Sequence, residues 1–464
     1  MNRQGGGAMA ARIGSRIYDE AIYATDRPVP SLWEATAGPA PADDGALEGE
    51  ASTEVAVIGG GIAGLSLVWH LTRRHGIEAV ALDAGKIGWG ASGRNGGFVS
   101  MGYTKRSLEE LSRSYGGDDA RTVFEAQKAA CAYVLDLVQA EDLQVDLAGR
   151  GEYIVAHKPD RMKGLEAKSA AMKAMFGEDW PVLSRAELER AGYASPEAHG
   201  GIYVPHGTGL HPLKYTYGLL SLARRHGGRV HPNSTVVRWE RDGGGHLLHT
   251  ASGGRLRAKT VVVASNGFTT EGLDQRFDGV TLPALSTILV TRPLSLEERQ
   301  AQGFTTDVPV ADSRNLLFYI RLLKDGRLLF GGRGGTNSTE AAGQRYADYM
   351  RRRLGEVFPA WKQVEISHRW RGFVCLTADL VGRVGLFPED RSTGYLFGCH
   401  GSGVAMSGYA AKFLAAQIAD ARFNEPFPNC FRQPPKRFPM PSLRVPALQA
   451  AYAWYRLKDE VLPA

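Results

Sequence analysis

Residues 53–85 read TEVAVIGGGIAGLSLVWHLTRRHGIEAVALDAG. The apolar run from Glu54 to Ile58 predicts a buried, parallel-type strand that runs straight into glycines. IAGLSLVWHLTRRHG follows with its apolar residues on one face and predicts a helix ended by Gly76. IEAVALDAG predicts a second strand, so the stretch is one βαβ unit. Gly59, Gly61 and Gly64 fit G-x-G-x-x-G, with Gly60, Ile62 and Ala63 between them. The first glycine permits the tight turn, the second lets backbone approach a pyrophosphate, and the third lets helix pack closely on strand. Phosphate would sit at the helix N-terminus, where unpaired N–H groups and the helix dipole favour negative charge. Asp83 closes the second strand, where an acid accepts hydrogen bonds from an adenosine ribose. An acid there disfavours a 2′-phosphate and leaves FAD or NAD.

Five residues after Asp83 the chain reads GWGASGRNGG (88–97). So many positions without side chains let backbone approach a ligand a second time. A nicotinamide enzyme has no need of this pass, whereas the pyrophosphate, ribityl chain and ring of a flavin extend along it. The alternative is an ordinary surface loop.

The remainder of the chain sets this unit in a larger frame. Its 464 residues, 43% hydrophobic and 22% charged, suit an ordinary globular protein with more than one domain's length. A net charge of +6, spread along the chain, gives little case for nucleic acid. Cys131, Cys375, Cys399 and Cys430 form no CxxC pair, which argues against a metal site or disulfide framework and for a reducing, cytoplasmic compartment. No apolar run spans a bilayer, and MNRQGGGAMAARIGSR lacks the apolar core of a signal peptide. Residues 106–145 and 160–192 read as largely helical, and GEYIVAHK (151–158) as a strand. His211-Pro212 reads as a helix start. From 281 to 335 the pattern is strand-like, with Asp325-Gly326 as a hairpin turn. The expected division is an arm (1–50), a dinucleotide-binding domain (51–105, 206–280, 366–425), a second domain (106–205, 281–365) and a C-terminal extension (426–464).

VAVIGGGIAGLSLVWHL, LDAGKIGWGASGRNGGF and GCHGSGVAMSGYAAKFLAAQIA together resemble the D-amino-acid oxidase-like family of FAD amine oxidoreductases, nearest its gamma-glutamylputrescine oxidase-like branch. The resemblance implies an α/β fold of mixed α+β character, with a Rossmann-type FAD-binding domain interleaved with a substrate domain on a mostly antiparallel sheet. It implies that Ala84, Gly90, Ala91, Ser92, Arg94, Asn95, Gly96 and Gly97 border the cofactor, with Val236 at the adenine. Ala264, Ser265 and Asn266 match a segment crossing near the phosphates, and Gly401, Gly403 and Val404 match the returning flavin loop. In that loop the branch usually reads G-x-S-G-H-G-V, whereas this chain has Gly398-Cys399-His400-Gly401-Ser402-Gly403-Val404, with histidine and serine exchanged. The proline usual after T-x-D is absent, since Thr377-Ala378-Asp379 continues Leu380-Val381-Gly382. Relatives that tether flavin place a cysteine where this chain has Val374, so noncovalent FAD is expected, with Cys375 as a buried apolar residue.

The implied reaction moves a hydride from the carbon beside nitrogen to the flavin, and the imine then hydrolyses. A desolvating pocket lowers the amine's pKa, so no strong protein base is required. The substrate is expected to be a small amine and the electron acceptor oxygen or a quinone-type compound. Tyr319 and Arg321 share a face of the Asp-Gly hairpin, which in this family roofs the flavin. Arg321 is expected to hold an acidic substrate group with Tyr319 capping it; the alternative is a solvated arginine. His400 beside the flavin loop is the third candidate, against a structural histidine. Trp370 reads as pocket or core. A D-amino-acid or glycine-type dehydrogenase, and a flavin-binding protein without turnover, remain open.

Overall fold

The computed structural model describes residues 16–462. Residues 1–15, with most of the stretch read for a signal peptide, lie outside the described residues. The strand Glu50–Ile58 has parallel neighbours on both sides, Arg255–Val263 and Ala79–Leu82. Arg229–His231 and Asp390–Phe397 extend the parallel set at either flank, and Arg383–Phe387 adds an antiparallel edge. The meander Val236–Asp242 and Gly245–Thr250 folds onto the start of Arg255–Val263. Every residue of Ala79–Leu82 is buried, as in a sheet covered on both faces. That is why this strand reads as an unbroken apolar run.

Parallel strands need a crossover, and the helix Ile62–His75 supplies it. It ends at Gly76, whose φ of 63° is left-handed. The helix packs against Pro212–Arg225 and Gly403–Ile418, with Gly117–Ala140 lying across the latter. His211 caps Pro212–Arg225, its Nδ1 accepting the Lys214 N–H at 3.2 Å, and Pro212 takes the first helical position. The decisive approach is at Gly64, where an added Cβ would fall 1.8 Å from the Gly59 carbonyl oxygen.

A second sheet runs in the order Ile366–Thr377, Thr281–Pro293, Arg327–Arg333, Phe318–Leu322, Val310–Asp312, Glu152–Val155, Gly201–Val204, Val182–Leu183. Its neighbours pair antiparallel except Val310–Asp312 with Glu152–Val155. The expected hairpin turn forms at Asp325-Gly326, with Gly326 at φ 80° and Leu323 N–H donating to Arg327 O at 2.8 Å. The strand Ile366–Thr377 lies in this second sheet, pairing with Thr281–Pro293 from Thr281 to Thr291. The boundary expected at 366 is therefore corrected: the change of sheet comes after Thr377. Backbone pairing, not local composition, decides it.

The arm from residue 16 to 49 forms only the turn Glu20–Tyr23 and the short helix Leu32–Thr36. It is nevertheless tied down, because Tyr18 Oη donates to Pro283 O at 2.8 Å and the Asp19 N–H donates to Ser338 Oγ at 2.9 Å. Among the described residues no helix is long and apolar enough to cross a membrane.

The Gly64 contact gives the first test. Gly64→Ala must push helix from strand, an overpacking that costs about 1–3 kcal/mol. We expect thermal unfolding several degrees lower, whereas Gly76→Ala, where nothing lies within 4 Å of the added Cβ, pays only for its left-handed backbone and shifts less. Equal shifts would show that the Gly59–Gly64 approach carries no special constraint.

Candidate active site

Two cavities meet at the ends of the parallel strands. The first, of about 220 Å³, is lined by Gly59, Gly61, Ala63, Asp83, Ala84, Gly90, Ala91, Ser92, Val236, Ala264, Ser265 and Asn266. The second, of about 320 Å³, is lined by Ile62, Ala91, Ser92, Arg94, Asn95, Gly96, Tyr319, Asn266, Gly401, Gly403 and Val404. Ala91, Ser92, Asn266 and Ser407 belong to both, so the two form one continuous path. An elongated ligand can start beside Asp83 and emerge beside Tyr319.

The first cavity fits a dinucleotide. An added Cβ on Gly61 would fall 2.6 Å from Ser92 Oγ, so the close approach needs glycine there. Ser92 Oγ accepts the Ile62 N–H at 2.9 Å, which leaves other first-turn N–H groups of the helix for a ligand. Asp83 is oriented by the N–H groups of Gly60 and Gly85, at 2.7 and 3.0 Å. Burial raises its pKa, and these two donors oppose the rise.

Residues 88–97 are shaped from outside. Trp370 Nε1 donates to Arg94 O and Trp33 Nε1 to Asn95 O, each at 2.8 Å. Arg321 Nη1 donates to Gly96 O and Gly97 O at 2.8 and 2.9 Å, and also to Leu210 O at 2.8 Å. Four consecutive carbonyls are thus anchored, and the small residues are left facing the cavities. Arg94 stacks on Trp89 with its guanidinium carbon 4.1 Å from the ring centroid and donates to Trp89 O at 2.6 Å. Asn95 Nδ2 bonds Ala91 O and Ser92 O while its Oδ1 accepts the Gly97 N–H. Trp370 is core, 3% exposed.

Four of the residues expected at the site line neither cavity: Gly64, Gly97, Arg321 and His400. Gly64 and Gly97 are packing positions, since an added Cβ would meet backbone oxygen at 1.8 and 2.0 Å. Arg321 is a correction. The residue is 2% exposed, its Nη1 is held by the three carbonyls above and it lines neither cavity, so it does not reach a substrate acid there. Burial lowers its pKa to about 10, still protonated at neutral pH. His400 is the second correction. It sits at φ 51° in the glycine turn and is fully buried, its Nε2 3.2 Å from Thr377 Oγ1. Burial, with Lys105 and Arg333 nearby, lowers its pKa to about 3, so the ring is neutral. The exchange of histidine and serine instead places Ser402 on the cavity wall, immediately before the helix Gly403–Ile418. Tyr319 does reach the cavity, lying across Gly331 and sharing a 2.8 Å hydrogen bond with Ser286 Oγ. Val374 lines the cavity while Cys375 is fully buried on the opposite face of the strand.

The cavity also holds charges that the sequence did not single out: Arg333, Lys105, Glu152 and Asp312, the last paired to Arg314. Arg333 Nη2 donates to His400 O at 2.9 Å and meets no carboxylate among the described residues. Burial lowers its pKa. Sequence offered one signal, a second arginine on the hairpin that carries Arg321.

Residues 54–417 match the family described as FAD dependent oxidoreductase. The chain belongs to that family. It is 29% identical to gamma-glutamylputrescine oxidoreductase of Escherichia coli (strain K12) over 416 residues, covering 88% of this chain and 93% of that one. It is also 29% identical to the probable oxidoreductase OrdL of Rhizobium meliloti (strain 1021) over 428 residues, covering 89% and 94%. Among solved structures, glycine oxidase from Geobacillus kaustophilus superposes with a TM-score of 0.67 at 19% identity, covering 81% of this chain and 96% of that one. Iminodiacetate oxidase from Chelativorans sp. BNC1 gives 0.66 at 17% identity, covering 82% and 100%. The protein is an FAD-dependent oxidoreductase, and the dinucleotide-shaped path described above fits that cofactor.

Two predictions follow from how the path is walled. Arg321→Met leaves buried carbonyls without donors at a cost of roughly 2–4 kcal/mol. It should lower thermal stability and cut activity on acidic and neutral amines by the same factor; a loss confined to acidic amines would restore Arg321 to the substrate. The arm supplies Arg16, Ile17, Tyr23 and Thr25 to the first cavity's wall, with Tyr18 stacked on Phe373 and Tyr23 edge-on to Phe268. Tyr18→Ala with Tyr23→Ala should therefore release FAD at least about tenfold faster on dilution, a loss of about 1.4 kcal/mol or more. Unchanged flavin fluorescence release would show that the arm does not retain the cofactor.

Proposed function

We propose that the protein oxidises the C–N bond of a small primary or secondary amine that carries an acidic group, the resulting imine hydrolysing to carbonyl and amine. The observation that carries this reading is the pair of cations, Arg333 and Lys105, facing the second cavity with no carboxylate partner among the described residues. An enclosed cation is costly to keep unpaired, and an anionic substrate offsets that cost. FAD supplies the hydride acceptor. The chain's own residues prepare the amine: the same two cations disfavour an ammonium beside them and so favour the neutral nitrogen whose lone pair assists hydride departure. The helix Gly403–Ile418 begins at the cavity with no side-chain cap, so its N-terminal N–H groups can meet negative charge developing there.

The name of the Escherichia coli relative supports an amine substrate bearing amino-acid character. Oxygen or a quinone-type compound then takes the electrons. Four unpaired cysteines are consistent with a cytoplasmic, reducing setting.

The test is anaerobic bleaching of bound flavin by paired amines with and without a carboxylate. Acidic amines should bleach the flavin at least about tenfold faster at equal concentration, the equivalent of one charge-assisted contact. Faster bleaching by the neutral partners would overturn the acidic-substrate reading. Bleaching by none of the amines would leave a flavin protein without this turnover. Peroxide yield against dye reduction then distinguishes the acceptors.

A further inference from the structure

We propose that Glu152 and Lys105 recognise an amino-acid head on the substrate, Glu152 taking its ammonium and Lys105 its carboxylate. The proposal rests on the reading of the second cavity as the substrate site and names the chemistry of the part that is not oxidised.

Both residues line that cavity. Glu152 opens the strand Glu152–Val155, where alternation puts Tyr153 and Val155 in the core and leaves Glu152 and Ile154 on the cavity wall. Lys105 comes from the chain beyond the glycine-rich loop, its backbone N–H held by Leu380 O at 3.0 Å. Among the described residues neither side chain makes a hydrogen bond or ion pair, with the other or with anything else. Not every charge on this wall is left so. Asp312, on the same wall, is paired to Arg314 and also accepts the Phe318 N–H. Two charges of opposite sign that face one cavity, unjoined, are arranged for a ligand that carries both complements.

The electrostatics agree. Burial raises the Glu152 carboxyl to about 7, with Lys168 and Lys105 holding back part of the rise. Burial likewise lowers Lys105 well below its ordinary value, with Arg333 adding to the effect. Lys105 is an exposed residue, so its side chain opens to solvent as well as lining the cavity, which moderates the effect of burial on it. Burial thus disfavours the charged form of each group. A zwitterionic head brings to each the opposite charge that restores it. A carboxylate alone, or an ammonium alone, satisfies one and leaves the other.

Three near-isosteric probes separate these cases: 2-aminoisobutyrate, pivalate and tert-butylamine. None bears a hydrogen on the carbon next to nitrogen or carboxylate, so none can reduce the flavin, and their binding is independent of the turnover proposed above. Isothermal titration of the FAD-loaded protein slightly above neutral pH is the measurement. We expect 2-aminoisobutyrate to bind at least about tenfold tighter than either single-charge probe, the ratio given by one charge-assisted contact. Glu152→Gln should abolish its advantage over pivalate and leave pivalate itself no weaker. Lys105→Met should weaken pivalate and 2-aminoisobutyrate together and leave tert-butylamine no weaker. Equal affinity for the three probes on the unaltered protein overturns the proposal. So does a variant that weakens all three alike, which would assign these side chains to the cavity's shape rather than to recognition. An enzyme that oxidises acidic amines yet ignores 2-aminoisobutyrate would retain the proposed function and lose the head site.

Discussion

Four consecutive carbonyls, from Arg94 to Gly97, are each held by a side-chain donor brought from elsewhere in the chain. The remainder of the site depends on this. A segment as poor in side chains as 88–97 has nothing of its own to bury and would lose much conformational entropy on ordering. Trp33 from the arm, Trp370 from one edge strand of the second sheet and Arg321 from the hairpin supply the missing order. Because all three attach to carbonyls on the outer side, the inner side keeps its glycines, Ala91 and Ser92 for the ligand path. A single segment thereby joins the two sheets and walls both cavities.

The role of Arg321 shows how stability and function divide between two arginines of one hairpin. Residues Phe318–Leu322 and Arg327–Arg333 pair directly, with Arg321 opposite Leu329 and Tyr319 opposite Gly331. Arg321 is directed into backbone, where a guanidinium can meet several carbonyls at once. Arg333, at the hairpin's far end, passes beside Gly401 instead, where an added Cβ would lie 2.5 Å from its Nη2. Among the described residues its guanidinium donates only to His400 O, which leaves its other donors available. A cation buried against carbonyls away from both cavities is structural; one on a cavity wall with few protein partners is poised for an anion.

The fold was legible because its signals are local. G-x-G-x-x-G, the apolar strands around it, Gly76 at the helix end and Asp325-Gly326 at the hairpin each specify backbone within a few residues, and each forms where the pattern places it. Most of the first cavity's lining was legible for the same reason, since much of it comes from short glycine-rich stretches of backbone. The second cavity was legible only at Tyr319 and its glycine-rich loops. Lys105, Glu152 and Arg333 come from three separate segments, and alternation alone gives Glu152 a face without saying what that face meets. His400 misled because a one-residue change in a glycine turn reverses a side chain's direction: at φ 51° it turns into Thr377, and Ser402 takes the open side.

That reversal bears on the proposed chemistry. With His400 neutral, buried and turned away, no imidazole is available to take the substrate's proton from the cavity side. Tyr319 is no better a base, because burial raises its pKa to about 12 and its hydroxyl is engaged with Ser286. Glu152 is the one group here with a pKa raised to near neutrality, and the proposed head site occupies it with the ammonium that is not oxidised. The reacting amine must then reach its neutral form through its surroundings: an enclosed cavity, two unpaired cations and a helix N-terminus all disfavour a positive charge on it. The cations and the helix N-terminus would favour the negative charge that bound flavin takes up with the hydride, while the substrate is left as a cationic iminium that water then attacks. One arrangement of fixed charge therefore acts on both reactants: it lowers the amine's pKa so that its proton passes to water before transfer, and it would stabilise the negative charge carried to the flavin, without a dedicated catalytic base.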